Sequence, residues 1–164
     1  VDILNYVMLD LGQPMHVFDL NKIGKHINVR FAKSKEKIQL LDESSKVLND
    51  KWLVISDEKE SLAFAGVMGG IKSSVSAATN SVFIESAFFT PDIIRGKARN
   101  FNIQTDSSQR FERGVDYNLQ SLALIKATNL INKYLSGTHS KLSTVENKSN
   151  LPRQNLIDLN LNLP

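Results

Sequence analysis

Four features in this 164-residue chain carry residue types that could do chemistry. Thr105, Asp106, Ser107, Ser108, Gln109 and Arg110 form one run of six polar residues. Neither a core helix nor a Glu- and Lys-rich solvated helix is built this way. Hydroxyls and carboxylates in series suit a helix start, where their oxygens accept the free backbone N–H groups of the first turn. Asp106 and Gln109 have the spacing of a capping box, and such a start can also face a polar ligand. His16 follows Pro14 in a segment that breaks the preceding helix, a place where functional residues are often carried. Glu85 lies between the apolar runs Val82–Ile84 and Ala87–Phe89. There it is either a surface residue at a strand end or a placed hydrogen-bond acceptor. Gly66–Gly70 holds three glycines in five residues, which lets a backbone approach a ligand closely.

Other chemistries fit less well. The Gly-rich stretch lacks the Gly-Lys pair of a nucleotide P-loop, and no Gly-x-Gly-x-x-Gly fingerprint occurs. His16, His26 and His139 are far apart and there is no cysteine, which argues against a zinc site and against disulfides. Ser107, His16 and Glu85 could be drawn as a nucleophilic triad, but no nucleophile elbow supports it. No metal site is expected.

The elements that must position these residues follow from periodicity. Ile3, Leu4, Val7, Met8 and Leu11 give a helix over 2–11, with Asp2 as cap and Gly12 as stop. Residues 27–33 alternate as a strand, with Ile27, Val29 and Phe31 on one side. Strands are expected at 37–41, 46–48 and 52–56, the last joined to 61–65 by a hairpin. A strand at 82–84 is followed by a helix over 91–99, started by Thr90-Pro91, and by a second over 105–113. A long helix is capped by Asp116 and closed by Gly137. Residues 138–155 read as a linker, and 156–164 as the first strand of a following unit. A run of strands with flanking helices predicts a mixed α/β fold with largely antiparallel strands. The domain would span 1–137, with 138–164 as linker and truncated start of the next unit.

Charge and composition narrow the classes. The excess of +3 is too small to assert nucleic-acid binding by itself. Yet Arg95, Lys97, Arg99, Arg110 and Arg113, against Asp106 and Glu112, put a net +3 into one short segment, a patch that could meet phosphates. No apolar run is long enough to span a membrane. Starting at Val1 without a signal segment, the chain reads as a piece of a longer protein.

Three blocks then occur in order: Gly12–Asp19, Gly66–Gly70 leading to Phe83–Phe89, and Thr105–Asp116. Together they resemble the editing module of the bacterial phenylalanyl-tRNA synthetase β subunit, over about Val1 to Gly137. The resemblance implies a three-layer editing-domain fold and hydrolysis of tyrosine misattached to tRNA(Phe), by a positioned water and no covalent nucleophile. It implies that His16 and Thr105 orient water and ester. Pro14, Gly66, Gly69, Glu85 and Ser107 would bind the substrate, Glu85 accepting from the tyrosine phenol. Ser107 departs from the family, which usually has Ala there. The parent enzyme would use ATP and Mg2+ at its α subunit, as a cytoplasmic α2β2 heterotetramer that binds tRNA(Phe); this piece itself would need no cofactor. The five basic residues become candidates for the tRNA acceptor end, with Arg110 and Arg113 equally able to pair with Glu112 or Asp116. The alternative is a non-catalytic tRNA- or subunit-docking module of the same synthetase.

Overall fold

The computed structural model describes residues 1–152 and 156. The expected strand at 156–164 lies outside them, apart from Leu156. Helix α1 (Asp2–Leu11) buries Leu4, Val7 and Met8, and Gly12 ends it in the left-handed conformation (φ 77°), its N–H reaching Met8 O. Asp2 is not its cap. That position belongs to Val1, which offers no side-chain acceptor, and Asp2 sits in the first turn where its charge suits the helix dipole.

Strand β1 (Met15–Asp19) pairs antiparallel with β8 (Val82–Ser86). The larger sheet runs β2 (Asn28–Phe31), β5 (Leu53–Ser56), β6 (Ser61–Phe64) and β7 (Met68–Gly69), every neighbouring pair antiparallel. Strands β3 (Lys37–Gln39) and β4 (Ser45–Val47) form a separate hairpin. The expected β5–β6 hairpin is present, its loop held by Asp57, whose carboxylate accepts from the Lys59 and Glu60 N–H groups. The mixed α/β architecture with antiparallel strands matches the reading of the sequence.

The β1/β8 ribbon divides two cores. Phe18 and Phe83 face the main core, with Leu40, Trp52, Val54, Phe64, Phe89 and Phe111. Met15, Val17 and Ile84, of opposite parity, face a smaller core made by α1 and α4 (Gln120–Leu135) through Leu4, Val7, Ala123 and Ala127. This is strand alternation applied twice: one side chain in two goes to each core. Burying these apolar groups stabilises each interface by roughly 1.5–3 kcal/mol per large side chain.

Several sequence expectations are corrected. β2 forms where its pattern placed it, but Val29 and Phe31 are 56% and 52% exposed. Arg30, from the other face, turns inward to pair with Glu36 and Ser56. Helix α2 stops early (Pro91–Ile94), because Gly96 (φ +75°) breaks it, and a separate 3-10 turn follows at Arg99–Phe101. Asp116 does not cap α4; its carboxylate accepts from Asn118 N in a turn before the helix. Ser136, not Gly137, takes the left-handed closing position. Among the described residues no helix is long and apolar enough to cross a membrane.

Candidate functional site

A cleft opens where the β1/β8 ribbon meets the edge of the larger sheet and helix α3 (Asp106–Arg113). Of the residues singled out from sequence, Pro14, His16, Gly66, Gly69, Glu85 and Ser107 border it, beside Val67, Met68 and Phe111. The strands explain the grouping. His16 and Glu85 are directly opposed in the ladder, so both project from the same face of the ribbon. His16 lies in strand β1, and Glu85 lies inside β8 rather than just past a strand ending at 84, which leaves the placed acceptor of its two local readings.

His16 is held on two sides. Its ring meets the Phe18 ring edge-on at 4.5 Å. Across the cleft floor it covers Gly69, where a Cβ would overlap the imidazole; a glycine is required there for space. Gly66 is required for conformation as well, with φ +69° and the Ile94, Phe111 and Phe89 side chains 3.2–3.3 Å from where a Cβ would stand. The Gly66–Gly70 stretch is therefore more than a turn: its middle forms β7, paired Ala63↔Gly69 and Phe64↔Met68 with β6.

The electrostatics of the opposed pair are unusual. His16 Nε2 is buried and has no hydrogen-bond partner among the described residues. Burial lowers its pKa to about 4, because the protonated ring would lose its hydration. Glu85 is half-buried, among the described residues it receives no hydrogen bond from the protein, and burial raises its pKa to about 7. At neutral pH the site thus holds an uncharged imidazole and a carboxyl group near the midpoint of its titration. Both residues line one cleft and have unused hydrogen-bonding capacity, the His16 Nε2 covered against Gly69. Unpaired polar groups in such a place are costly to the fold and mark a ligand site.

Helix α3 supplies the remaining wall. Its cap is Thr105, whose hydroxyl accepts from Ser108 N at 3.0 Å, while Ser108 Oγ accepts from Thr105 N at 3.0 Å. The capping box is Thr105–Ser108, and the Asp106–Gln109 pairing read from spacing does not form. Thr105 also donates to Val67 O at 2.9 Å. Its hydroxyl is consumed by structure, and Thr105 stands behind the cleft without bordering it, unlike the water- and ester-orienting residue that the resemblance implied. Ser107, two residues on, does border it, with its hydroxyl 3.8 Å from the sulfur of Met8.

The basic segment is partly neutralised. Arg95 pairs with Asp92, Arg99 with Glu112, and Arg110 with Asp106. The alternative that Arg110 or Arg113 pairs with Glu112 or Asp116 is not realised among the described residues. Lys97 and Arg113 have no ion pair among the described residues. One buried residue escaped the sequence reading. Gln13 bridges Pro14, Ala87 and Gln120, and only its place before a proline could have signalled it. Among the described residues no cluster of three His, Asp or Glu is placed to hold a metal ion.

Fold and cleft together define a small α/β module with a recess between a strand ribbon and a glycine-lined sheet edge. The chain belongs to the B3/4 domain family, whose model matches residues 1–136. It is similar to proteins described as the phenylalanine–tRNA ligase beta subunit. The identity is 48% over 160 residues with that of Acinetobacter baylyi, covering 98% of this chain and 20% of that protein. It is 58% over 131 residues with that of Legionella pneumophila (strain Paris), covering 80% and 16%. The chain therefore spans about a fifth of the length of such relatives. An N-terminal fragment of the phenylalanyl-tRNA synthetase beta subunit from Pyrococcus horikoshii aligns over 76% of this chain and 38% of its own, at TM-score 0.46 and 15% identity.

Proposed function

We propose that this chain is the editing module of a phenylalanine–tRNA ligase β subunit, and that its cleft hydrolyses the ester of tyrosine misattached to tRNA(Phe). The observation that carries the reading is the opposed pair His16 and Glu85, unpaired and facing the Gly66–Gly69 backbone across a recess. A synthetic pocket made for an apolar side chain rejects an isostere bearing one extra hydroxyl only about a hundredfold. A second site that hydrogen-bonds that hydroxyl inverts the preference. In this cleft the tyrosine phenol meets Glu85, while a phenylalanine ring leaves the carboxyl group buried and unsatisfied, at a cost of about 1–3 kcal/mol.

His16 Nε2 lies covered against Gly69, and a turn of the ring on substrate entry presents it to a water or to the aminoacyl ester. Water adds to the ester carbonyl, the C–O bond to the terminal ribose breaks, and the ribose oxygen takes the proton. Pro14, Ser107, Gly66 and Gly69 shape the recess. Thr105 acts at one remove, by fixing the Val67 carbonyl and the start of α3. ATP and Mg2+ belong in this reading to the α subunit of a cytoplasmic α2β2 enzyme, and residues 138–164 lead into the next part of the β chain. Lys97 and Arg113 are the basic residues left for the tRNA acceptor end.

The test is deacylation of tyrosyl-tRNA(Phe) by the complete synthetase carrying this sequence, beside its Glu85→Ala variant. The expected result is hydrolysis by the first and a lost preference for tyrosyl over phenylalanyl ester in the second. A wild-type synthetase that left tyrosyl-tRNA(Phe) intact would overturn the reading.

A further inference from the structure

The β1/β8 ribbon ends beside the cleft in a way that backbone pairing does not account for. Leu20 N–H donates to Ser81 O at 3.0 Å. In an antiparallel ladder, residues that exchange both backbone hydrogen bonds alternate with residues that exchange none. The exchanging rungs are therefore 20/81, 18/83 and 16/85, and the register Met15↔Ser86 puts Pro14 opposite Ala87 on the next one. That rung needs two N–H donors, and proline has none. Without a substitute, the Ala87 carbonyl would be orphaned one exchanging rung away from His16 and Glu85.

Gln13 provides the substitute. It is fully buried, and its side-chain nitrogen donates to Ala87 O at 2.8 Å and to Pro14 O at 2.8 Å. Its two N–H groups thus meet the two carbonyls that a backbone rung would have satisfied. Its oxygen accepts from Gln120 Nε2 at 2.8 Å, so only one orientation of the carboxamide satisfies all three partners. Gln120 is itself fixed. Its side chain donates to Asp116 O at 3.0 Å, and its carbonyl accepts from Ser86 Oγ at 3.0 Å. The network ties the cleft end of the ribbon to the first turn of α4.

We infer that Gln13 is a positioning residue for the cleft: its amide replaces the N–H that Pro14 lacks, and so holds Pro14, His16 and Glu85 in register opposite Gly66–Gly69. A proline here leaves the cleft wall with a rigid ring, and the glutamine satisfies the two carbonyls of the rung that the proline interrupts. A buried glutamine that served stability alone would make the same bonds but would not govern the surroundings of His16 and Glu85. The kinetic part of the inference rests on the hydrolase reading; the structural part does not.

The first measurement is an NMR titration of His16 and Glu85 in the 164-residue chain, with thermal unfolding as the check on folding. In wild type, burial is expected to place the His16 midpoint well below its ordinary value, near 4, and that of Glu85 above its own, near 7. In Gln13→Ala the ribbon end opens to water, and both midpoints move toward ordinary values by about one unit or more. Gln120→Ala, which leaves Gln13 in place but unanchored, gives a smaller shift in the same directions and serves if Gln13→Ala does not fold. Folded variants with both midpoints unmoved would overturn the inference. The second measurement is deacylation of tyrosyl-tRNA(Phe) by the complete synthetase, where Gln13→Ala lowers kcat about tenfold or more with KM nearly unchanged. An inactive wild type would sink the hydrolase reading, and the titration would still decide the role of Gln13.

Discussion

Glu36 and Glu85 are both glutamates set against the main sheet, and the protein treats them in opposite ways. Glu36 receives two bonds from the Arg30 guanidinium, at 2.9 and 2.8 Å, one from Ser61 Oγ at 2.6 Å and one from Lys33 N at 2.7 Å. The Arg30 hydrogen bonds lead in holding its pKa at about 2. Glu85 receives no bond from the described protein and is pushed up to about 7. One carboxylate is complete within the fold and clamps the β2 edge to β6. The other is left incomplete at a cleft. The fold stabilises the first charge and resists the second, and that difference separates a structural ion pair from a site waiting for a ligand.

The largest effect comes from breaking the complete carboxylate. Glu36 has its pKa depressed, so it contributes stability above about 4.5 that is lost as pH falls through 2. Glu36→Gln removes the charge and strands Arg30, and should cost about 3 kcal/mol at pH 7, read by urea unfolding. The loss relative to wild type should shrink steadily below pH 4. An unchanged midpoint at pH 7 would mean that the clamp does not hold β2.

The incomplete carboxylate predicts the opposite sign. Glu85 has its pKa raised, so its charge destabilises the fold fully above pH 7 and not at all below about 4.5. Glu85→Gln should therefore stabilise the chain at pH 8 by about 2 kcal/mol, discounting for the water that reaches the cleft. His16 tilts the acid side the other way: with its pKa lowered to about 4, stability falls as pH drops from 6.5 to 4. Between pH 4.5 and 6.5 the two slopes oppose, and wild-type stability should be nearly flat in their contribution. In Glu85→Gln that compensation is gone, and unfolding free energy should drop steadily as pH falls through this window. A variant no more stable than wild type at pH 8 would show that Glu85 is not strained in the free protein.

A smaller effect follows from Gly69. Adding a methyl group there drives into the His16 ring, which is already packed edge-on against Phe18. Gly69→Ala should lower deacylation by the complete synthetase about tenfold through a displaced imidazole, while His16→Ala made in addition should cost little more. Full additivity of the two changes would mean that Gly69 acts on the substrate directly.

What the sequence made legible was composition at strand and loop scale. Glycines at 66, 69 and 70 marked a close approach, and a carboxylate among Val82–Phe89 marked itself as odd against apolar neighbours. The pairing of strands was not legible. Nothing local says that His16 faces Glu85 across 69 residues of chain, because that register is set by two cores gripping alternate side chains. The cap of α3 failed for a different reason. In Thr105–Ser108 every residue can cap, and spacing alone cannot choose among overlapping pairs. Thr105 wins because Ser108 returns the bond and Val67 offers a carbonyl to the same hydroxyl.

Thr105 then gives the finest cut through the comparison, since its hydroxyl is spent like Glu36 and not spare like Glu85. It accepts one bond and donates one, so it has little left for a substrate. Thr105→Val keeps the shape and removes the hydroxyl, and should cost about 1 kcal/mol as a lost cap. Thr105→Ser keeps the hydroxyl and should be close to wild type in both stability and hydrolysis. If Thr105 acts only through structure, deacylation by the Val variant falls modestly and in step with its loss of unfolding free energy. A Val variant with wild-type stability and abolished hydrolysis would move Thr105 into direct contact with the ester, the role the family resemblance implied and its hydrogen bonds argue against.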